Sequence, residues 1–228
     1  MIPALFTFDV FGTVLDWRRG LAEAVRAAGV RFDEDAFDRV IDAQAEIEAG
    51  PFRSYAAIVA ESLVRVLGMA PTTAAAIGAS AGRWPLYPDS AAALRGLLEV
   101  APCVAMTNSD RAHGAQVQEG LGFPLSDWIC AEEIGRYKPD PAVWHAAAAR
   151  LGVPADRRWW HVSAYGDYDL ETARSLGLTC VYVERPHARP GPADVTVPDL
   201  MALLERVRRG AAGRGPGRDL GPGMISGP

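Results

Sequence analysis

The sequence has few cysteines, and none of them are arranged as a metal site. Cys103, Cys130 and Cys180 are the three cysteines of the 228-residue chain, and each stands in an apolar run. There is no Cys-x-x-Cys pair, and the four histidines form no helix-spaced ligand pair. We therefore expect small buried hydrophobic cysteines and no metal site, zinc included.

Long apolar runs and basic clusters are also missing. No apolar run approaches the length of a membrane span, and the N-terminus lacks the charged-then-apolar pattern of a signal peptide. The formal net charge is -5, and no Lys/Arg cluster occurs in the part expected to fold. These absences predict a cytoplasmic protein with no nucleic-acid and no membrane partner. The length suffices for one good-sized domain, or for a core domain with a smaller insertion.

The stretch ALFTFDVFGTVL, residues 4–15, joins an apolar run to an acidic residue and a glycine turn. Its apolar part predicts a strand that ends at Asp9, and the chain leaves through Gly12 in a helical pattern. Ligands bind at the carboxyl edge of an open parallel sheet, so Asp9 is a candidate nucleophile. From this stretch alone, an ordinary turn-forming aspartate is an equally good interpretation.

Four helical patterns follow with no strand between them. They cover residues 16–28, 33–49, 55–67 and 72–83, and Trp84-Pro85-Leu86-Tyr87-Pro88 ends this section. Such a run predicts a small helical bundle, residues 16–88, inserted directly after the first strand.

Helices and strands alternate from Asp89 onward. Strands are predicted at 103–106, 128–130, 159–162, 179–183 and 195–197, separated by segments with helical patterns. This alternation predicts right-handed β-α-β units and a parallel sheet, so that residues 1–15 and 89–208 form an α/β core. Residues 209–228 are rich in Gly, Pro and Arg without periodicity, which predicts a disordered tail.

Polar side chains follow four of the predicted strands. In a parallel sheet these strand ends share one edge, so their side chains can converge. The groups concerned are Asp9 and Thr13, then Thr107 and Asn108, then Lys138, and finally the segment 161–169, which ends in Asp169.

Four stretches of the chain resemble, in order, the four signature motifs of the haloacid dehalogenase superfamily. They are FDVFGTVLDWR, MTNSD, YKPDPAVW and DLETARSLGL. The resemblance covers about residues 2–208, and the helical insertion resembles the superfamily's cap domain. It implies a Rossmann-like parallel core with an inserted helical cap. Within the superfamily the sequence is most similar to the hydrolytic 2-haloacid dehalogenases. That branch implies a small carboxylate substrate, no cofactor and a homodimer.

Two positions distinguish this chain from the magnesium-dependent phosphatases of the superfamily. Those enzymes place a second Asp two residues after the first, where this chain has Phe11, and begin the fourth motif with Gly-Asp, where it has Ser163-Ala164. Mg²⁺ needs carboxylate and phosphate oxygens, so phosphoryl transfer is disfavoured.

The resemblance implies a role for each polar residue. Asp9 attacks the α-carbon of a 2-halocarboxylate and forms an aspartyl ester that water hydrolyses. Lys138 holds Asp9 ionised by lowering its pKa, and Asp169 orients or deprotonates the water. The expected substrate-binding residues form hydrogen bonds or an apolar wall around the reacting carbon; they are Phe11, Thr13, Thr107, Asn108 and Tyr165.

In L-2-haloacid dehalogenases a cap arginine contacts the leaving halide, and this sequence has no clear counterpart of it. Asp42 stands near its place, and Arg18, Arg39 or Arg53 could substitute for it. The leaving group therefore remains open.

The fourth motif also departs from the dehalogenase pattern. Ala164 and Gly166 stand where those enzymes have Ser and Asn. One alternative is opening of a strained ring, as in azetidine-2-carboxylate hydrolase, with Tyr165 or Asp167 as proton donor. The others are a phosphatase and a non-catalytic binding protein. His161 lies on a predicted strand and is expected to be a core or edge histidine.

Overall fold

A computed structural model describes residues 2–212 of the chain. Its centre is a six-stranded, all-parallel sheet with strand order β3-β2-β1-β4-β5-β6. The strands are β1 (Leu5–Phe8), β2 (Cys103–Thr107), β3 (Asp127–Cys130), β4 (Trp159–Ser163), β5 (Thr179–Val183) and β6 (Val195–Val197). The predicted α/β class and parallel sheet are confirmed.

The strand order reverses at β1, which pairs with β2 on one side and β4 on the other. Phe8 pairs with Ala105 and Val162, so the residues that follow β1 lie level with the ends of both neighbours. A crevice at such a reversal, beyond the carboxyl ends of the strands, is the usual ligand site of open α/β sheets.

The helical insertion lies between β1 and β2. Its helices are α1 (Trp17–Ala27), α2 (Glu34–Glu48), α3 (Tyr55–Leu67) and α4 (Pro71–Ala79). The side chains of Asp16, Asp33 and Ser54 accept backbone N–H bonds at the starts of α1, α2 and α3, which satisfies donors that a helix leaves unpaired.

The predicted helix over 72–83 is wrong in its last four residues. The α-helix ends at Ala79, and a separate 3₁₀ turn covers Ala81–Arg83. Two glycines flank the break, and each lets another backbone approach closely. A Cβ on Gly78 would lie 2.3 Å from the Ala56 carbonyl oxygen, and one on Gly82 would lie 2.5 Å from that of His113.

The remaining helices connect the strands. They are α5 (Ser90–Leu98), α6 (Arg111–Leu121), α7 (Ala131–Ile134), α8 (Ala142–Leu151), α9 (Glu171–Ser175) and α10 (Leu200–Ala212). A π-helical turn, Gly166–Leu170, precedes α9, so the helix predicted over 168–176 begins earlier and with wider geometry. The helix α10 extends four residues into the predicted tail, and residues 213–228 lie outside the described part of the chain.

Apolar side chains cover both faces of the sheet. Phe6 and Phe8 face a cluster that continues into the helical insertion, whereas Leu5, Trp144 and Trp159 belong to a cluster on the other face. The three cysteines are buried and free, as expected. Within residues 2–212, no helix combines the length and the apolarity needed to span a bilayer.

Candidate active site

Lys138 lies between two carboxylates at the carboxyl edge of the sheet. Its Nζ donates to Asp9 Oδ1 at 3.0 Å and to Asp169 Oδ2 at 2.7 Å. All three side chains are buried, with 3–4% exposure for Lys138 and Asp9 and none for Asp169. The structure thus brings together the three residues predicted to be catalytic.

Asn108 holds the backbone of Lys138 in place. The Lys138 N–H donates to Asn108 Oδ1 at 2.6 Å, and Asn108 Nδ2 donates to the Lys138 carbonyl at 3.0 Å. Because Asn108 follows β2, this pair of bonds ties the lysine loop to the sheet edge.

Thr13 supports Asp9 from behind. Its hydroxyl donates to Asp9 Oδ2 at 2.7 Å and accepts the Ala164 N–H at 2.9 Å, which links the turn after β1 to the end of β4. Gly12, with a φ of +99°, turns the chain so that Thr13 can fold back. Thr13 is fully buried, so its hydroxyl acts on Asp9.

A buried hydrogen-bond chain fixes Asp169 from the other side. Trp159 Nε1 donates to Thr7 Oγ1 at 2.7 Å, Thr7 Oγ1 lies 2.7 Å from His161 Nδ1, and His161 Nε2 lies 3.0 Å from Asp169 Oδ1. His161 Nε2 faces the ionised Asp169 carboxylate, which can only accept, so Nε2 carries a proton. The Thr7 hydroxyl accepts from the indole N–H and is free to donate to Nδ1. His161 is a core histidine, as expected, but its contact with Asp169 was not predicted.

The two carboxylates that share Lys138 differ in their electrostatics. The Lys138 ammonium and His161 outweigh burial and hold the pKa of Asp169 well below its ordinary value. For Asp9, burial together with the charge of Asp169 outweighs Lys138 and Thr13, so its pKa is raised. Lys138 does lower the pKa of Asp9, as expected, but burial and Asp169 outweigh it, so the net shift is upward. Lys138 itself has a raised pKa, because its two carboxylate partners outweigh its burial.

The site opens into a cavity of about 430 Å³ between the sheet edge and the helical insertion. Six of the eight predicted site residues line it: Asp9, Phe11, Thr107, Asn108, Lys138 and Tyr165. Thr13 and Asp169 lie behind the wall.

The helix α2 supplies much of the opposite wall. Four of its residues line the cavity at helical spacing: Ile41, Gln44, Ala45 and Glu48. Asp42 is exposed and is not part of the lining. The helical pattern over residues 33–49 predicts α2 itself. What the periodicity could not indicate was that one edge of the helix faces a cavity instead of packed side chains.

Residues 3–177 match the family model of haloacid dehalogenase-like hydrolases. This chain belongs to that family. No curated protein sequence matches it at a significant level.

Solved structures of L-2-haloacid dehalogenases are similar to this haloacid dehalogenase-like hydrolase over nearly its whole length. The dehalogenase PA0810 is 25% identical, with a TM-score of 0.80 over 91% of this chain and 100% of that chain. The enzyme from Xanthobacter autotrophicus is 20% identical, with a TM-score of 0.80 over 91% and 99%. The defluorinating enzyme Rha0230 is 24% identical, with a TM-score of 0.77 over 90% and 95%. The expected resemblance to 2-haloacid dehalogenases is confirmed.

Of the three arginines considered as halide partners, the hydrolase places Arg18 on the cavity wall. Its guanidinium lies 3.1 Å from Glu34 and 4.0 Å from the centre of the Phe37 ring. Arg39 and Arg53 do not line the cavity. Of these three, Arg18 is therefore the one that the structure places within reach of a ligand.

The two proton donors considered for ring opening differ in their placement in this hydrolase. Tyr165 lines the cavity, and its hydroxyl oxygen accepts the Trp17 Nε1–H at 2.8 Å, which leaves its own proton free to donate; burial raises its pKa well above 10. Asp167 does not line the cavity and lies 3.3 Å from Arg189.

The residues at this site do not fit a magnesium ion. The ammonium of Lys138 already stands between Asp9 and Asp169, and both Asp169 oxygens are engaged by Lys138 and His161. Phe11 adds an apolar ring packed at 5.2 Å from Tyr55. Across residues 2–212, no group of three or more His, Cys, Asp or Glu side chains forms a candidate metal site.

Proposed function

We propose that this protein is a metal-independent hydrolase that displaces halide from a small 2-halocarboxylate through an ester at Asp9. The observation that carries the proposal is the Lys138 ammonium held between Asp9 and Asp169 at the cavity wall. It supplies a fixed positive charge beside the attacking carboxylate, and Phe11 stands where the superfamily's phosphatases carry a second acid.

In the first half-reaction, a carboxylate oxygen of Asp9 forms a bond to carbon 2, and the halide leaves with the electron pair of the carbon–halogen bond. Displacement at carbon needs neither a metal nor an acid for the leaving group. Thr13 and Lys138 hold the two Asp9 oxygens, so the carboxylate is oriented before substrate arrives. Phe11 excludes water from its side of the cavity.

In the second half-reaction, water adds to the Asp9 carbonyl carbon, and the 2-hydroxycarboxylate leaves as Asp9 is regenerated. The net change is 2-halocarboxylate and water to 2-hydroxycarboxylate, halide and a proton. Lys138, 3.0 Å from Asp9 Oδ1, is placed to stabilise negative charge on the Asp9 carbonyl oxygen.

Asp169 is better suited to positioning Lys138 than to deprotonating water. Its two oxygens are engaged by Lys138 and His161, its side chain is fully buried, and its pKa is held low. A carboxylate with a depressed pKa is a weak base. We therefore assign Asp169 to the orientation and charge balance of the lysine.

A single turnover in H₂¹⁸O tests the proposal. Excess protein reacts with a panel of 2-haloacids, and the peptide that contains Asp9 is then weighed by mass spectrometry. We expect halide release together with ¹⁸O in that peptide, because water attacks the Asp9 carbonyl.

Label in the product alone, or turnover by an Asp9→Asn variant, would rule out the ester. Phosphatase activity on p-nitrophenyl phosphate that EDTA abolishes would rule out the metal-independent assignment. Glu46→Gln is the matched control for Asp9→Asn, since Glu46 is an exposed acidic residue paired with Arg65.

A further inference from the structure

Glu48 is a half-buried carboxylate on the cavity wall that has no partner of its own. It is the last residue of α2 and lines the same cavity as Asp9. Among residues 2–212, no side chain or backbone group forms a hydrogen bond or ion pair with its carboxylate. Burial raises its pKa to about 7, because nothing offsets the lost contact with water.

The cations that line the cavity are already paired with other groups. Lys138 is shared by Asp9 and Asp169, Arg18 contacts Glu34, and the guanidinium of Arg189 contacts Asp167. None of them neutralises Glu48. A charge that is partly removed from water without a partner costs free energy, which a ligand of opposite charge would offset.

Aromatic side chains stand beside Glu48. Tyr55 lines the same cavity as Glu48, and Phe52 and Tyr137 line an adjoining hollow that Glu48 also lines. Glu48 also lies where the cavity adjoins a second hollow, since both are lined by Ala45, Glu48, Lys138 and Pro139. A carboxylate flanked by aromatic rings is the chemistry that binds an ammonium group.

We propose that Glu48 binds a cationic amino group of the substrate. The preferred substrates are then small carboxylic acids with a leaving group on carbon 2 and an ammonium group farther along the chain. This inference rests on the proposed function for the reacting end of the substrate, whereas the ammonium site stands on Glu48 and its surroundings alone.

Two isosteric probes test the selectivity. We compare chloride release from 4-amino-2-chlorobutanoate and 2-chloropentanoate at pH 8, where both Glu48 and the amine are charged, and subtract the reaction without protein. The wild type should favour the amino compound in kcat/KM, and Glu48→Gln should lower that preference about 10- to 100-fold, the range of a hydrogen bond to a charged group. Asp42→Asn, an exposed change on the same helix, should leave the preference as it is. An equal loss on both probes in Glu48→Gln would overturn the inference.

A binding measurement separates this inference from the proposed function. Titration calorimetry with 4-aminobutanoate and pentanoate, which carry no leaving group, should give at least tenfold tighter binding of the amino compound, and Glu48→Gln should abolish the difference. Equal affinities in the wild type would overturn the ammonium site even if an ester forms on Asp9. A clear preference without any chloride release or ester would instead support the site and refute the dehalogenase assignment.

Discussion

His161 Nε2 and Asp169 Oδ1 lie 3.0 Å apart, and neither side chain is exposed to solvent. His161 belongs to β4, whereas Asp169 belongs to the π-helical turn that follows. The other Asp169 oxygen accepts from Lys138 at 2.7 Å. Asp169 is thus clamped on both sides, so it can set the position of the Lys138 ammonium beneath Asp9.

The imidazole proton of His161 should reside on Nε2. Trp159 occupies Thr7 Oγ1 as a donor, which leaves the Thr7 hydroxyl to donate to His161 Nδ1. ¹⁵N NMR of the histidine ring distinguishes the tautomers, and a proton on Nδ1 would contradict this hydrogen-bond direction.

Loss of the His161 contact should slow the reaction while substrate binding changes little. We expect His161→Phe to lower kcat about 10- to 100-fold, because a hydrogen bond to a buried carboxylate is lost. KM should change less, since His161 does not line the cavity. His161→Gln restores an N–H donor and should recover part of kcat. Equal values for the two variants would point to a packing role alone.

Removal of the Lys138 charge should destabilise the fold, most strongly near neutral pH. In Lys138→Met, Asp9 and Asp169 would remain buried without the cation they share, at a cost of about 3–5 kcal/mol in the free energy of unfolding. The depressed pKa of Asp169 contributes stability above its unfolded pKa of about 3.8, and that stability is lost as the pH falls through the folded pKa.

Urea unfolding at pH 7 and pH 4 measures this effect. The difference between wild type and Lys138→Met should be smaller at pH 4, where the variant's carboxylates are protonated. Arg136→Met is the matched control, because Arg136 is exposed and its pair with Asp140 should contribute only about 0–1 kcal/mol. A loss in Lys138→Met that is independent of pH would contradict the electrostatic account.

Gly12 should tolerate a side chain less well than Gly29. Both have positive φ, +99° and +78°, but a Cβ on Gly12 would lie 2.1 Å from the Tyr165 hydroxyl, whereas a Cβ on Gly29 meets open space. Gly29→Ala should cost about 1 kcal/mol from backbone strain alone. Gly12→Ala should cost more, and its excess should shrink in a Tyr165→Phe background. Thermal unfolding of the four variants checks this, and equal costs at the two glycines would exclude a steric role for Tyr165.

Stability should depend on Glu48 at alkaline pH. Its folded pKa of about 7 lies above the ordinary 4.5, so its contribution is fully present below pH 4.5 and is lost as the pH rises through 7. At pH 8.5 the free energy of unfolding of Glu48→Gln should therefore exceed that of the wild type by about 1–2 kcal/mol, after discounting for the partial exposure of Glu48. The two should be nearly equal at pH 4.5. Glu46→Gln, at an exposed position of the same helix, should show no such pH dependence.

The parts of the fold that the sequence predicted are those with strong local signals. Short apolar runs marked the strands, and helical patterns over residues 16–28, 33–49 and 55–67 marked α1, α2 and α3. The errors arose where the signal was short or non-local. The four residues Ala131–Ile134 are too few to show a period, and α4 ends where Gly78 meets the backbone of α3, a contact between separate helices.

The sequence by itself determined that Asp9 follows an apolar strand, that a glycine turn comes after it, and that Phe11 replaces a second acid. These are local properties of neighbouring residues, so they can be inferred before folding is known. The tertiary structure alone decided that one ammonium serves both Asp9 and Asp169, that His161 clamps the second of these, and that Glu48 faces the cavity. Such partners lie on different strands and helices, and which of them meet depends on sheet order, register and helix placement.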